Sequence, residues 1–305
     1  MEKETIDFLT QYWWCILLGI IVLGSIAKGD TKVVKEYYDG GLFKRKIKSI
    51  TPYKDGVIHG TTIEYHKNGK IKSKFNYHKG IPCGRCEIYH ENGNIAEINE
   101  EILGEKPYNG FVRSYYENGK LRYEENYIEG TRMGHYIECY PNGQIKKECE
   151  NILENEANTG FVREYYENGQ LEREGFFRNC KLNGPIKEFF EDGKIKRKGF
   201  YKNNITEGYY AEYYPNGLIH KEWEDVLDTK PNNGFFHEYY ENGRLKSESN
   251  YVSGKCEGYE KEYYETGELE WETPFKDGVK HGIMKRYNKN GEIEATIIYK
   301  NGDKM

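Results

Sequence analysis

The chain has 305 residues, 37% of them hydrophobic and 31% charged, and a net charge of −5 with both signs mixed along its length. It lacks the basic stripe of a nucleic-acid binder. Leu, Ile, Val and Phe are too sparse for the two ordinary cores this length would otherwise predict, whereas 29 tyrosines suit thin, half-exposed strands.

The first element is apolar. Tyr12 to Ala27 reads YWWCILLGIIVLGSIA without a charge, and Phe8 to Gln11 extends it to about 20 residues, enough to cross a ~30 Å hydrocarbon core. Trp13 and Trp14 suit an interfacial belt. Residues 1–30 therefore read as an N-terminal membrane anchor or signal segment, with membrane contact through residues 8–27. A signal peptide cleaved after Ser25-Ile26-Ala27, with export of the rest, is the alternative. A signal wants a basic start, however, and here Glu2, Glu4 and Asp7 outnumber Lys3. Lys28, Lys32, Lys35, Lys44, Arg45, Lys46 and Lys48 follow the segment, so the positive-inside rule puts the remainder in the cytoplasm.

Residues 31–57 read as a linker with a degenerate first repeat, Glu36 to Gly41. From residue 58 to 305 the chain repeats. The marker is a turn glycine: Gly69, Gly93, Gly119, Gly143, Gly169, Gly193, Gly217, Gly243, Gly267 and Gly291, in steps of 24 or 26 residues. Two residues after it stands Leu or Ile in all ten copies; nine before it stands a glycine in all ten; four before it stands an aromatic in nine, Cys139 being the exception.

Each copy predicts a β-hairpin. A run such as Phe161 to Tyr166, FVREYY, has strand composition, then comes Glu167-Asn168-Gly169, then a second strand from Leu171. Pro141 and Pro215, two before their markers, suit a three-residue loop with the glycine in a left-handed bulge. In such a loop Tyr115 shares a face with Leu121, and Tyr165 with Leu171. Strict alternation then puts Tyr77, Tyr127, Phe177, Tyr201, Tyr251, Phe275 and Tyr299, eight after the marker, on that same face. The copies at Gly93, Gly143 and Gly217 are longer, and Leu103, Leu153 and Leu227 are expected to take the same side. The fold is thus all-β: an elongated single-sheet antiparallel meander of about ten β-hairpin repeats, preceded by one N-terminal apolar helix. At about 10 Å per copy it spans on the order of 100 Å.

Units such as Gly110 to Tyr127, GFVRSYYENGKLRYEENY, and the link D-G-x-x-H-G at Asp55 to Gly60 and Asp277 to Gly282 resemble the MORN repeat variant. That repeat occurs in bacterial YwqK-family antitoxin-like proteins. The resemblance covers residues about 58–305, and 36–57 more weakly. It implies elongated β-hairpin sheets used for protein or lipid contact, and the antitoxin label implies a toxin as partner.

No catalytic motif of the H-E-x-x-H, G-x-S-x-G or P-loop kind occurs, and repeats use up nearly everything after residue 58, so no enzyme, cofactor or small-molecule substrate is expected. The seven cysteines form no framework; Cys83 and Cys86 make one C-x-x-C, too few ligands for a zinc site. The expected function is a membrane-tethered, non-catalytic scaffold whose partner is a protein; an antitoxin neutralising a toxin by direct contact, or an extracytoplasmic repeat protein binding cell wall or another ligand, is the alternative. The candidate docking row is the second aromatic, three before the marker: Tyr116, Tyr140, Tyr166, Tyr214, Tyr240 and Tyr264, with Phe190 in the same position. Alternation points this row away from the Leu/Ile side.

Overall fold

The computed structural model describes residues 29–39, 46–153 and 159–305. The expected apolar helix and anchor, residues 8–27, lie outside them. Among the described residues no helix is long and apolar enough to cross a membrane. They form one open antiparallel sheet of 26 strands in a meander, as the alternating tyrosine-rich runs require.

Each copy is one hairpin. Its outgoing strand ends at the aromatic four before the marker and its return strand starts two after it, as in Gly160–Tyr165 and Leu171–Arg178. The marker N–H donates to the carbonyl three residues back, Gly169 to Tyr166 at 2.9 Å, and the Tyr166 N–H donates to Gln170 at 2.9 Å. All ten copies make both bonds. The markers sit at φ between +82° and +106°, which only glycine adopts cheaply. This is the expected three-residue loop, and Tyr115 pairs with Leu121 and Tyr165 with Leu171 as expected.

One step further the register slips. Tyr165 pairs with Leu171 but Glu164 pairs with Arg173, so Glu172 is left over as a second bulge. The same slip recurs in every copy, for instance at Glu64/Tyr65, Ser114/Tyr115 and Glu238/Tyr239. An extra residue transposes every side chain beyond it. The expected shared face is therefore corrected: the aromatics eight after the marker lie opposite the Leu/Ile face. There each stands across from the glycine nine before the marker, Phe177 from Gly160 and Tyr251 from Gly234.

The two faces differ. One, here the packed face, carries the residues seven before and six after each marker in a continuous row. Cys86, Val112, Ile186, Tyr210, Ser249 and Thr273 are buried in it. Its small members make room for neighbours: a Cβ built on Gly199 would stand 2.6 Å from the Tyr210 ring. The other, the open face, carries the aromatic–aliphatic pair and the residues six before and five after the marker.

The long copies correct a second expectation. Leu103 and Leu227 are 56% and 52% exposed, while Ile102 and Val226, one residue earlier, are 5% and 2% exposed. Gly84 pairs with Ile102 but Cys86 with Asn99, so one of the two additional residues is absorbed as a bulge and parity moves by one. The side chain of Leu153 lies outside the described set.

Two strands that precede the first full copy join the same sheet. Thr31–Tyr37 pairs with Ile47–Lys54 and repeats the slip at Tyr37. Among the described residues, the copies are linked by tight two-residue turns. Nine of these, such as Asp55-Gly56 and Asn203-Asn204, hold both central residues at positive φ, the geometry that matches strand twist.

Candidate interaction surface

The candidate row is brought together, but it is engaged. Tyr116, Tyr140, Tyr166, Tyr214, Tyr240 and Tyr264 lie on the packed face, half-buried rather than exposed. Each hydroxyl donates to a carbonyl of the next copy: Cys139, Tyr165, Phe189, Tyr239, Tyr263 and Tyr287 respectively, at 2.7–2.9 Å. His66 and His90 occupy the same position and hold the Tyr89 and Tyr115 carbonyls through Nε2 at 2.9 Å. Burial pushes the phenols of Tyr140, Tyr166, Tyr214 and Tyr240 up.

The turn asparagine works in parallel. Asn168 Oδ1 takes the Gln170 N–H, and its amide donates to the Glu191 carbonyl of the next copy at 3.1 Å. Asn216 does the same towards Leu218 and Glu241. The Y-x-N-G sequence is thus a staple between successive turns as well as a turn. Phe190 has no hydroxyl to offer. Asn288, in the last copy, turns its amide to Glu292.

The open face is a ladder of carboxylates and cations capped by tyrosines. Arg163 lies 3.3 Å from Glu148, 3.0 Å from Glu150 and 3.7 Å from Glu174. Tyr165 donates to the same Glu148 at 2.6 Å, and burial with that carboxylate pushes its phenol to about 12. Glu248 accepts from Lys261 at 3.1 Å and Tyr263 at 2.7 Å. Hydrogen bonds from Tyr89, Lys74 and Arg85 hold the Glu87 carboxyl down at about 2.

Cys83 and Cys86, three apart in one extended strand (Ile81–Tyr89), point to opposite faces and cannot share a ligand. Burial raises the thiols of Cys86, Cys139, Cys149 and Cys256, the last to about 11. Among the described residues no group of three or more His, Cys, Asp or Glu side chains could hold a metal ion.

Sequence reasoning missed one feature. At the linking-turn end of the open face the two residues flanking each turn pair across it, as Lys54 with Val57 and Val252 with Lys255. The signal was a cation and an aliphatic three apart around the turn, recurring with the period of the markers.

Eight stretches of the chain match the MORN repeat variant: residues 58–79, 82–100, 108–129, 159–179, 182–203, 238–253, 257–277 and 280–301, over half the sequence. No catalytic family is among the matches. The copies around Gly143 and Gly217 fall between matched stretches, yet they make the same turn bonds and the same struts. A search of curated proteins returns no match.

Proposed function

The chain belongs to the MORN repeat variant family, and from that premise we propose that it is a non-catalytic scaffold, tethered to a membrane and mediating protein–protein contact. The observation that supports the reading is repetition of one bonding unit. Every copy makes the same turn, and the Tyr or His struts and Asn staples tie most copies to the next. Such a chain multiplies one surface along a line instead of gathering side chains into one cavity. Fixed spacing between identical rows is what a scaffold requires.

The tether is proposed through residues 8–27, with the repeats on the cytoplasmic side because the cations follow the apolar run. Protease added to intact cells should spare the repeats, and alkaline carbonate should leave the chain in the membrane pellet. Digestion of the repeats from outside, or a mature N-terminus at Lys28, overturns the tether. The scaffold reading itself is tested by crosslinking in native membranes. A discrete protein captured by the intact chain, and lost when copies are deleted, supports it; no protein crosslinked from any fraction refutes it.

A further inference from the structure

The open face ends, beside the linking turns, in a row that no strut reaches and in which, among the described residues, one lysine, Lys202, is ion-paired, to Glu207 at 3.6 Å. There an exposed aliphatic side chain stands directly across from a lysine: Val57 from Lys54, Leu103 from Lys106, Leu227 from Lys230, Val252 from Lys255. Aliphatic residues in this row are 43–56% exposed in eight copies. Lys54, Lys106, Lys230, Lys255 and Lys276 make no ion pair among the described residues. This contrasts with the cations deeper on the same face, such as Arg163, which meets three carboxylates. Unneutralised cations interleaved with exposed aliphatics call for a partner that is both acidic and apolar.

The shape of the row selects among such partners. Its docking points form a line, whereas a bilayer offers a plane. A linear partner running across the strands cannot pair its backbone with them, because their peptide groups already serve the sheet; it must dock by side chains alone. Copies recur about every 10 Å, two strands of about 4.8 Å each. Seven residues of α-helix rise about 10.5 Å, so a helix meets each copy with the same heptad position.

We propose that this row docks an acidic amphipathic α-helix, one aliphatic per heptad against the exposed aliphatic of successive copies and a carboxylate where a lysine stands across from it; across from Ile81 and Ile128 stand His78 and Thr131, and those copies take the aliphatic contact alone. In the middle of the row Arg178 pairs with Lys181, with no aliphatic; that copy takes acidic side chains only. The proposal rests on the scaffold reading and names the partner's chemistry and the surface that meets it.

The probe is a labelled four-heptad alanine-based helix carrying one leucine and one glutamate per heptad, titrated by fluorescence anisotropy against the purified full chain. A lysine-for-glutamate version and vesicles of phosphatidylserine in phosphatidylcholine run alongside. The acidic helix should bind, more weakly as salt rises, and the lysine version should not. The triple variant Leu227→Ser, Val252→Ser, Val279→Ser should lose about tenfold or more in affinity with its far-UV spectrum unchanged, and Lys230→Ala, Lys255→Ala, Lys276→Ala should lose the salt dependence. No binding by the acidic helix, equal binding by the lysine version, full affinity in the serine variant, or binding to vesicles alone each overturns the proposal. If crosslinking still captures a protein on the serine variant, the scaffold reading stands and this row is refuted; if the intact chain captures none, the scaffold reading itself falls.

Discussion

The struts give the most direct test of how the repeats hold together. Tyr166→Phe keeps the half-buried ring and removes one O–H···O=C bond of 2.8 Å to Phe189. A neutral hydrogen bond of this kind contributes about 0.5–1.5 kcal/mol net. The six tyrosine struts stand about 10 Å apart along the array, and about 20 Å apart where Phe190 intervenes, far enough for their effects to add. Replacing all six by Phe should therefore cost about 3–9 kcal/mol. In a one-dimensional array the loss falls on the coupling between neighbours, so the unfolding transition should also broaden. Phe190 supplies the opposite sign. It sits at the strut position without a hydroxyl, and Phe190→Tyr should reach the Tyr213 carbonyl and stabilise the chain by about the value of one bond. The assay is urea unfolding followed by far-UV circular dichroism, variant by variant. Single Tyr→Phe changes within about 0.3 kcal/mol of the parent, well under the value of one bond, together with a neutral or destabilising Phe190→Tyr, would refute the strut reading. A sextuple variant that keeps its stability but loses its partner would restore the row as the docking surface.

Four further outcomes follow from the same geometry. Gly169→Val, at φ +86° with Gln144 Oε1 3.0 Å from the new Cβ, should cost about 1–2 kcal/mol or more, read as a lowered urea midpoint; an unchanged midpoint would mean the turn is not the left-handed one described. Glu260 stands in the packed-face row opposite Thr273, and burial, then the neighbouring Glu262, raise its pKa while Lys280 opposes them. A raised folded-state pKa means the carboxyl favours the fold only while protonated, below the ordinary value of about 4.3, and loses that contribution as pH rises through the raised value. Glu260→Gln should therefore raise the melting temperature at pH 7 and leave it unchanged near pH 4, and the same shift at both would contradict the burial argument. Glu87, held at about 2, has the opposite sign: Glu87→Gln should destabilise at pH 7, and the difference should vanish as pH falls towards 2. Last, excising one whole copy, residues 182–205, should leave a cooperative fold, whereas deleting Arg173 alone should invert a face and lower the melting temperature more; equal damage would count against independent repeats.

Local chemistry was legible without coordinates. Ten marker glycines, a proline two before two of them and an aliphatic two after all of them specify a three-residue loop, because only one backbone geometry accepts those residues at those places. The meander follows, since consecutive hairpins with short links have no other way to pair. What the sequence could not carry is parity beyond the turn. A bulge adds one residue to one strand without any obligatory side chain, so Glu172 reads as an ordinary strand residue until its neighbours are seen to pair around it. That single slip sends Phe177 to the face of Gly160, and a similar one in a long copy buries Ile102 instead of Leu103. The Y-x-N-G signature was visible as a turn, but its second use, a hydroxyl and an amide reaching carbonyls more than twenty residues away, depends on how successive turns stack. The aliphatic–lysine row was likewise hidden, since whether a side chain flanking a turn is exposed or covered is decided by the face on which the bulges leave it.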